Sequence, residues 1–299
     1  MNRLCEGRVA IVTGAGRGFG REHALMLAAH GAKVVVNDVG ASVAGSGRDP
    51  SPANLVVDQI RTSGGEAIAN DDDASDWNGA KNMIDQAIRS FGKLDVLVNN
   101  AGILRDRMLA NMTEEEWDAV IKVHLKGTFA PSRHAASYWR DQSKAVGAPV
   151  KARIINTTSR SGLFGNVGQC NYGAAKAGIA AFGIIAAREL RRYGITVNTI
   201  SPSGQTRMTE RLRQLTEEER ARRDPRWVSP VVTWLASEDS EDVTGRVFLA
   251  GNGIVAVGEG WHLGPTIDQM DDPVRLGSAI KRMVAAARKN AGMDGNDLD

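Results

Sequence analysis

Short apolar runs alternate with longer stretches in which apolar residues recur at helical spacing. The runs Arg8–Thr13, Ala32–Val36, Glu66–Asn70, Leu94–Val98, Ala152–Thr157, Ile195–Ile200 and Arg246–Ala250 read as strands. The first of them, RVAIVT, is apolar and β-branched without alternation, the pattern of a parallel strand buried on both faces. Stretches near Gly18–His30, Asp76–Phe91, Glu114–Asp141, Gly173–Tyr193, Trp227–Ala236 and Pro273–Lys289 read as helices. In the first, Phe19, Ala24, Leu25, Leu27 and Ala28 make one apolar face. Strand and helix alternate from Arg8 to about Ala250 with no linker. That order predicts an α/β fold: one doubly wound, Rossmann-like parallel sheet with helices on both faces. The Gly-, Ser-, Ala- and Pro-rich stretch Val39–Pro52 reads as an exposed loop.

Composition narrows the classes. A chain of 299 residues can form a large core, burying about 75% of its extended surface. The net charge of +2 gives no argument for a nucleic-acid partner. No apolar run reaches the ~18 residues of a membrane span, and the N-terminus lacks a signal-peptide apolar core. With Cys5 and Cys170 as its two cysteines, the chain has no disulfide framework, and a cytoplasmic setting is expected. Cys170 reads as a packing residue, and no metal site is expected.

Two constellations carry chemistry. The first is the turn Thr13-Gly14-Ala15-Gly16-Arg17-Gly18-Phe19-Gly20 between the first strand and first helix, the context a dinucleotide fingerprint requires. Gly14 permits the tight turn, Gly18 lets the backbone approach a pyrophosphate, and Gly20 lets helix and strand pack closely. The helix N-terminus then offers N–H groups and a positive dipole end to phosphates. Asp38, at the end of the second strand, stands where a carboxylate accepts hydrogen bonds from the adenosine ribose and repels a 2′-phosphate, which favours NAD. Arg17 pulls toward NADP, because a guanidinium there could hold that phosphate.

The second is Ser159, Tyr172 and Lys176. A tyrosine is too weak a base at neutral pH, with a pKa near ~10. A lysine ammonium one helical turn on shares its face and is expected to lower that value. Ser159, past the end of the Ala152–Thr157 strand, can bond a substrate oxygen. With the glycine turn, the set describes a redox enzyme that moves a proton as a hydride crosses to a nicotinamide.

From about Leu4 to Gly264 the chain resembles the short-chain dehydrogenase/reductase family, through TGAGRGFG (Thr13–Gly20), DASD (Asp73–Asp76), NNAG (Asn99–Gly102), Ser159 and YGAAK (Tyr172–Lys176). The resemblance implies strand order 3-2-1-4-5-6-7, a nicotinamide cofactor and a homodimer or homotetramer built through helices including Glu114–Asp141 and Gly173–Tyr193. It implies a domain over residues 1–264, followed by a helical extension and polar tail over 265–299. It places Asp73 and Ala74 near the adenine, and Asn99, Asn100, Ala101 and Gly102 along the cofactor. It makes Tyr172 the acid/base, puts Lys176 on the nicotinamide ribose and makes Ser159 the substrate anchor.

A narrower resemblance is to the (3R)-hydroxyacyl-CoA dehydrogenase part of peroxisomal multifunctional enzymes type 2 and to bacterial stand-alone relatives. VVVND with the Val39–Pro52 insertion, NNAGILRDRM (Asn99–Met108), VHLKGTF (Val123–Phe129), GNVGQCNY (Gly165–Tyr172) and RMT (Arg207–Thr209) carry it. It implies oxidation of 3-hydroxyacyl-CoA thioesters. The alternatives are a 17β-hydroxysteroid dehydrogenase, an NADPH-dependent 3-oxoacyl-carrier-protein reductase and a cofactor-binding protein without turnover.

Three departures from the broad family stand out. His124 replaces the Asn whose backbone carbonyl serves the proton relay, and it is kept as a relay candidate. Pro202-Ser203 replaces Pro-Gly, which leaves Pro202 and Thr206 as the nicotinamide contacts. Gly251-Asn252-Gly253 replaces a Gly-Gly pair. The Arg-rich stretch Gln205–Arg226 reads either as a solvated helix with i,i+4 ion pairs or as a contact to CoA phosphates through Arg207 or Arg211.

Overall fold

The computed structural model describes residues 3–205 and 216–298. Eight strands form one sheet in the order β3-β2-β1-β4-β5-β6-β7-β8. They are β1 (Val9–Thr13), β2 (Lys33–Asn37), β3 (Ala67–Asn70), β4 (Val96–Asn99), β5 (Ala152–Thr157), β6 (Ile195–Ser203), β7 (Val247–Gly251) and β8 (Ile254–Gly258). The first seven pair in parallel, and β8 runs antiparallel to β7. The seven strands read from the sequence are all present in the expected order, and β8 is an addition. Its signal was legible: Gly251 pairs with Ile254 across the two-residue turn Asn252-Gly253. Both turn residues have positive φ, at 54° and 84°, which is the Asn-Gly turn that folds a chain into a hairpin.

The helices are α1 (Gly18–Ala29), α2 (Ser51–Thr62), α3 (Trp77–Phe91), α4 (Glu114–Ile121), α5 (Gly127–Val146), α6 (Arg160–Phe164), α7 (Cys170–Leu190), α8 (Glu217–Arg222), α9 (Ser229–Ala236) and α10 (Pro273–Ala286). The loop expected over Val39–Pro52 runs into a helix, α2, that the sequence pattern does not predict. The helix starts inside that loop, with proline in its first turn, and buries Ala53, Val56, Val57 and Ile60, a helical stripe that glycine- and serine-rich neighbours obscured. The single helix expected over Glu114–Asp141 is two: α4 and α5 are joined by a π-helical turn, Lys122–Lys126.

Each sheet face carries its own core. One packs Val12, Val34, Val36, Val98 and Ile200 against Leu27 of α1, Val56 and Ile60 of α2 and Leu235 of α9. The other packs Ile11, Val35, Leu97, Ile154 and Val197 against Met83 of α3, Trp139 of α5 and Ala186 of α7. Burying each large aliphatic side chain contributes ~1.5–3 kcal/mol. Trp139, 2% exposed, donates its indole N–H to the Leu94 carbonyl at 2.6 Å, so its one polar atom is satisfied within the core. No helix among the described residues is long and apolar enough to cross a membrane.

Candidate active site

A cavity of about 840 Å³ opens at the carboxyl ends of the strands, on either side of β1, where the strand order reverses. Ligands of open α/β sheets bind in such a crevice. Gly14, Arg17, Gly18, Phe19, Asp38, Asp73, Ala74, Asn100, Ala101, Gly102, Ser159, Tyr172, Lys176 and Pro202 all face it. Residues separated by more than half the chain are therefore brought into one groove.

The glycine turn is shaped by close approach. A Cβ on Gly20 would lie 2.2 Å from the Gly14 carbonyl oxygen, and one on Gly14 would lie 2.8 Å from the Ala101 Cα. Gly14 and Gly18 adopt φ of 63° and 55°, which only glycine takes readily. Asn100 clamps the turn, its Nδ2 donating to the Thr13 and Gly14 carbonyls at 3.0 and 3.1 Å. The two oxygens of Asp38 accept from the N–H groups of Gly16 at 2.8 Å and Gly40 at 2.7 Å. Asp38 thus joins the glycine turn to the loop that follows β2. Gly16 and Gly20 shape the turn from behind rather than line the groove.

Asn99 is placed differently from the expected cofactor contact. Its side chain is buried beneath the groove, donating to Ser132 and Asn156, each at 2.9 Å. The strand pleat explains this, since neighbours Asn99 and Asn100 point to opposite sides. Thr206, Arg207 and Arg211 lie outside the described residues. Of the same arginine-rich stretch, Arg223 faces the groove, next to α8, whose N-terminus carries a Thr216/Glu219 capping box.

At the far end stand Ser159, Tyr172 and Lys176. Ser159 follows β5 and caps α6, its Oγ accepting from the Ser161 N–H at 3.2 Å. Tyr172 and Lys176 lie one turn apart near the start of α7, with the Lys176 amine 5.6 Å from the tyrosine ring centre. Lys176 donates to the Thr157 carbonyl at 2.7 Å, and burial pushes its pKa down to about 7. Burial pushes the Tyr172 phenol up, opposed by a hydrogen bond from Ser159. This differs from the expectation that Lys176 would set Tyr172: desolvation dominates both groups and holds the phenol protonated.

His124 lies in the π-helical turn, 2% exposed. Its ring stands edge-on to Tyr172, with centres 5.1 Å apart. Its Nε2 is 2.8 Å from the Ile103 carbonyl oxygen and 3.1 Å from the Ile103 nitrogen, while Nδ1 is buried without a hydrogen-bond partner among the described residues. Burial first, then the neighbouring Lys176, pushes its pKa down to about 3, so the imidazole is neutral. Its backbone carbonyl accepts from the Gly127 N–H. The side chain thus braces the Ile103 peptide and the Tyr172 ring together.

Gln169 is a further residue beside the site, not among those expected from the sequence: it accepts from Ser161 at 2.7 Å and Asn166 at 2.9 Å and donates to Asp106 at 2.8 Å. Arg160 is another: it donates to the Met293 carbonyl at 3.0 Å and brings the residues after α10 to the groove. Gln169 precedes Tyr172 by three residues and could have been found from that spacing. The Arg160 contact spans 133 positions and left no local signal.

The donor set fits a nicotinamide dinucleotide: a glycine turn that leaves no room for a Cβ, an α1 N-terminus with no side-chain cap among the described residues, and Asp38 beside it. A dinucleotide groove ending at a Ser/Tyr/Lys set defines a nicotinamide-dependent oxidoreductase acting on an alcohol or carbonyl. The chain matches the family described as short chain dehydrogenase over residues 8–220, and it belongs to that family. It is 46% identical over 252 residues to hydroxyacyl-CoA dehydrogenase ChsB1 of Mycobacterium tuberculosis, covering 81% of this chain and 77% of that one. It is 43% identical over 251 residues to the peroxisomal hydratase-dehydrogenase-epimerase of Neurospora crassa, covering 84% of this chain and 27% of the relative. With the peroxisomal multifunctional enzyme type 2 of Drosophila melanogaster it shares 42% identity over 275 residues, 91% of this chain and 44% of the relative. The chain therefore spans less than half the length of these two peroxisomal relatives. A crystal structure of a short chain dehydrogenase from Mycobacterium avium superposes with a TM-score of 0.86 at 50% identity, covering 97% of this chain and 98% of that one.

Proposed function

We propose that this enzyme oxidises a (3R)-3-hydroxyacyl-CoA thioester to the 3-oxoacyl-CoA with NAD⁺, Tyr172 acting as the base. The observation that carries the reaction class is the convergence of Ser159, Tyr172 and Lys176 at the end of a groove that begins at the glycine turn. Similarity to proteins named for hydroxyacyl-CoA or hydratase-dehydrogenase activity supports the substrate class. The carboxylate of Asp38 beside the glycine turn supports NAD over NADP, since a 2′-phosphate there would meet like charge.

A nicotinamide held at the Ser159/Tyr172/Lys176 end of the groove would supply the acceptor for the hydride of the carbinol carbon. The chain's own residues handle the proton and the geometry. Ser159 holds the substrate oxygen, and Tyr172, acting as the phenolate once its own proton has passed to solvent, takes the hydroxyl proton. The lysine amine, fixed on the Thr157 carbonyl, stabilises the phenolate while it exists and orients the ribose. His124 keeps the Tyr172 ring against the Ile103 peptide.

The test is initial-rate reduction of NAD⁺ and NADP⁺ with the (3R) thioester, its (3S) epimer and a 17β-hydroxysteroid. Turnover of the (3R) thioester with NAD⁺ is expected. Turnover of the steroid alone would replace the substrate, and preference for NADP⁺ would transfer the cofactor role from Asp38 to Arg17.

A further inference from the structure

The chain between β2 and α2 forms a closed loop with a fixed shape. Its base is tied by the Asp49 N–H on the Val39 carbonyl at 3.1 Å. Its tip is a tight turn, with the Ser42 N–H on the Ser46 carbonyl at 2.8 Å and the Gly45 N–H on the Ser42 carbonyl at 2.9 Å. Gly40, at φ +70°, brings the two arms so close that a Cβ there would lie 1.7 Å from the Asp49 carbonyl oxygen. Ends held together and an internally bonded tip make a loop that moves as a unit. Ser42, Val43, Gly45 and Arg48 face the same groove as the glycine turn.

The tip docks on the segment that follows β4. The Leu104 N–H donates to the Val43 carbonyl at 3.0 Å, and the Arg105 Nε donates to the Ala44 carbonyl at 3.1 Å. The main chain of Arg105 serves the catalytic helix: its carbonyl accepts from Asn171 Nδ2 at 2.9 Å, and the Asn171 Oδ1 accepts the Tyr172 N–H at 2.7 Å. One residue therefore holds the loop with its side chain and the start of α7 with its backbone.

We propose that Arg105 is a positioning residue that latches the Val39–Asp49 loop across the dinucleotide groove, so that cofactor release requires this contact to break. The inference rests on the assignment of the groove to a nicotinamide dinucleotide. The latch sits on the side chain, so it can be loosened without disturbing the carbonyl that holds Asn171.

The test is the dissociation rate of NADH, and of NADPH in parallel, from the full-length protein, followed by the fluorescence of the bound reduced cofactor in a stopped-flow displacement. Arg105→Ala is expected to speed release roughly three- to tenfold, the worth of one hydrogen bond. Arg105→Lys, which keeps a donor within reach of the Ala44 carbonyl, is expected to retain most of the slow rate. Gly45→Ala loosens the tip independently, because Gly45 sits at φ +84° with its Cβ position 3.1 Å from Ile103 Cδ1, and it should also speed release. The KM for the dinucleotide should rise in both fast variants while kcat is unchanged or higher. Release from a folded Arg105→Ala protein within twofold of the parent, or an Arg105→Lys protein as fast as the Ala variant, would overturn the latch. Failure of the parent to bind either reduced dinucleotide would instead remove the cofactor assignment, and the latch with it.

Discussion

The Lys176 amine donates to the Thr157 carbonyl at 2.7 Å, and both residues are closed off from solvent. A buried amine is costly to charge, and its pKa falls to about 7 from the ordinary value of 10.5. The unfolded chain therefore binds the proton more tightly than the folded one. Below pH 7 the folded state bears the full cost of the buried charge, and the cost fades as pH rises toward 10.5. Lys176→Met is expected to abolish turnover. Its stability relative to the parent should be most favourable below pH 7 and should decline steadily toward pH 10. Thermal unfolding of both proteins, free of cofactor, across that range is the check, and a pH-independent difference would contradict the assignment.

In the proposed mechanism the Tyr172 oxygen, hydrogen-bonded by Ser159, exchanges the proton with the substrate oxygen. Tyr172→Phe keeps the ring against His124 and removes only the oxygen. Turnover should fall at least ~100-fold, the scale of a lost general base, while the dissociation constant for NADH changes less than ~3-fold. Steady-state rates and fluorescence titration separate the two.

The Asp38 oxygens hold the Gly16 and Gly40 amides, and in the proposed function its charge also disfavours a 2′-phosphate. Asp38→Ser should raise the KM for NAD⁺ about tenfold, as loss of a charged hydrogen bond would, and raise relative use of NADP⁺. Parallel kinetics with both cofactors measure the ratio, and an unchanged ratio would mean that Asp38 does not govern the choice.

Gly20 leaves no space for a methyl group, with the Gly14 carbonyl oxygen 2.2 Å from its Cβ position. Gly20→Ala must push α1 away from β1. A loss of ~1–3 kcal/mol in unfolding free energy is expected, together with weakened cofactor binding. Gly92→Ala offers a contrast, because a Cβ there meets nothing within 4 Å although φ is +83°. It should cost ~1–2 kcal/mol through backbone strain alone and leave cofactor affinity intact. Denaturant unfolding and NADH titration of the pair distinguish crowding at the turn from general destabilisation.

Much of this architecture was legible in the sequence because its signals are local. Seven strands and the glycine turn announce themselves through β-branched runs and glycine spacing, and Tyr172 and Lys176 through their separation on one helix. The features that escaped depend on packing. Asn99 and Asn100 are chemically identical, and only the pleat assigns one to the core and the other to the groove. The helix α2 was hidden because its first turn shares the composition of the loop before it. The bracing of Tyr172 by His124 joins elements distant in sequence, and no spacing encodes it. The relation between Tyr172 and Lys176 was expected to be a charge interaction. In the resting site each of the two is shifted first by its own desolvation, which no residue pattern reports.

The π-helical turn at Lys122–Lys126 also fixes the phase of α5, which follows it directly. An α-helix advances by about 100° per residue, so the extra residue in the wider turn rotates α5 relative to α4 by that amount. Ser132 meets Asn99 and Trp139 meets the core only in the rotated setting. Deleting one residue from this turn would restore a regular helix and swing those side chains away from the sheet. The exposed Lys122 and Lys126 can thus be substituted far more readily than the length of the turn can be changed.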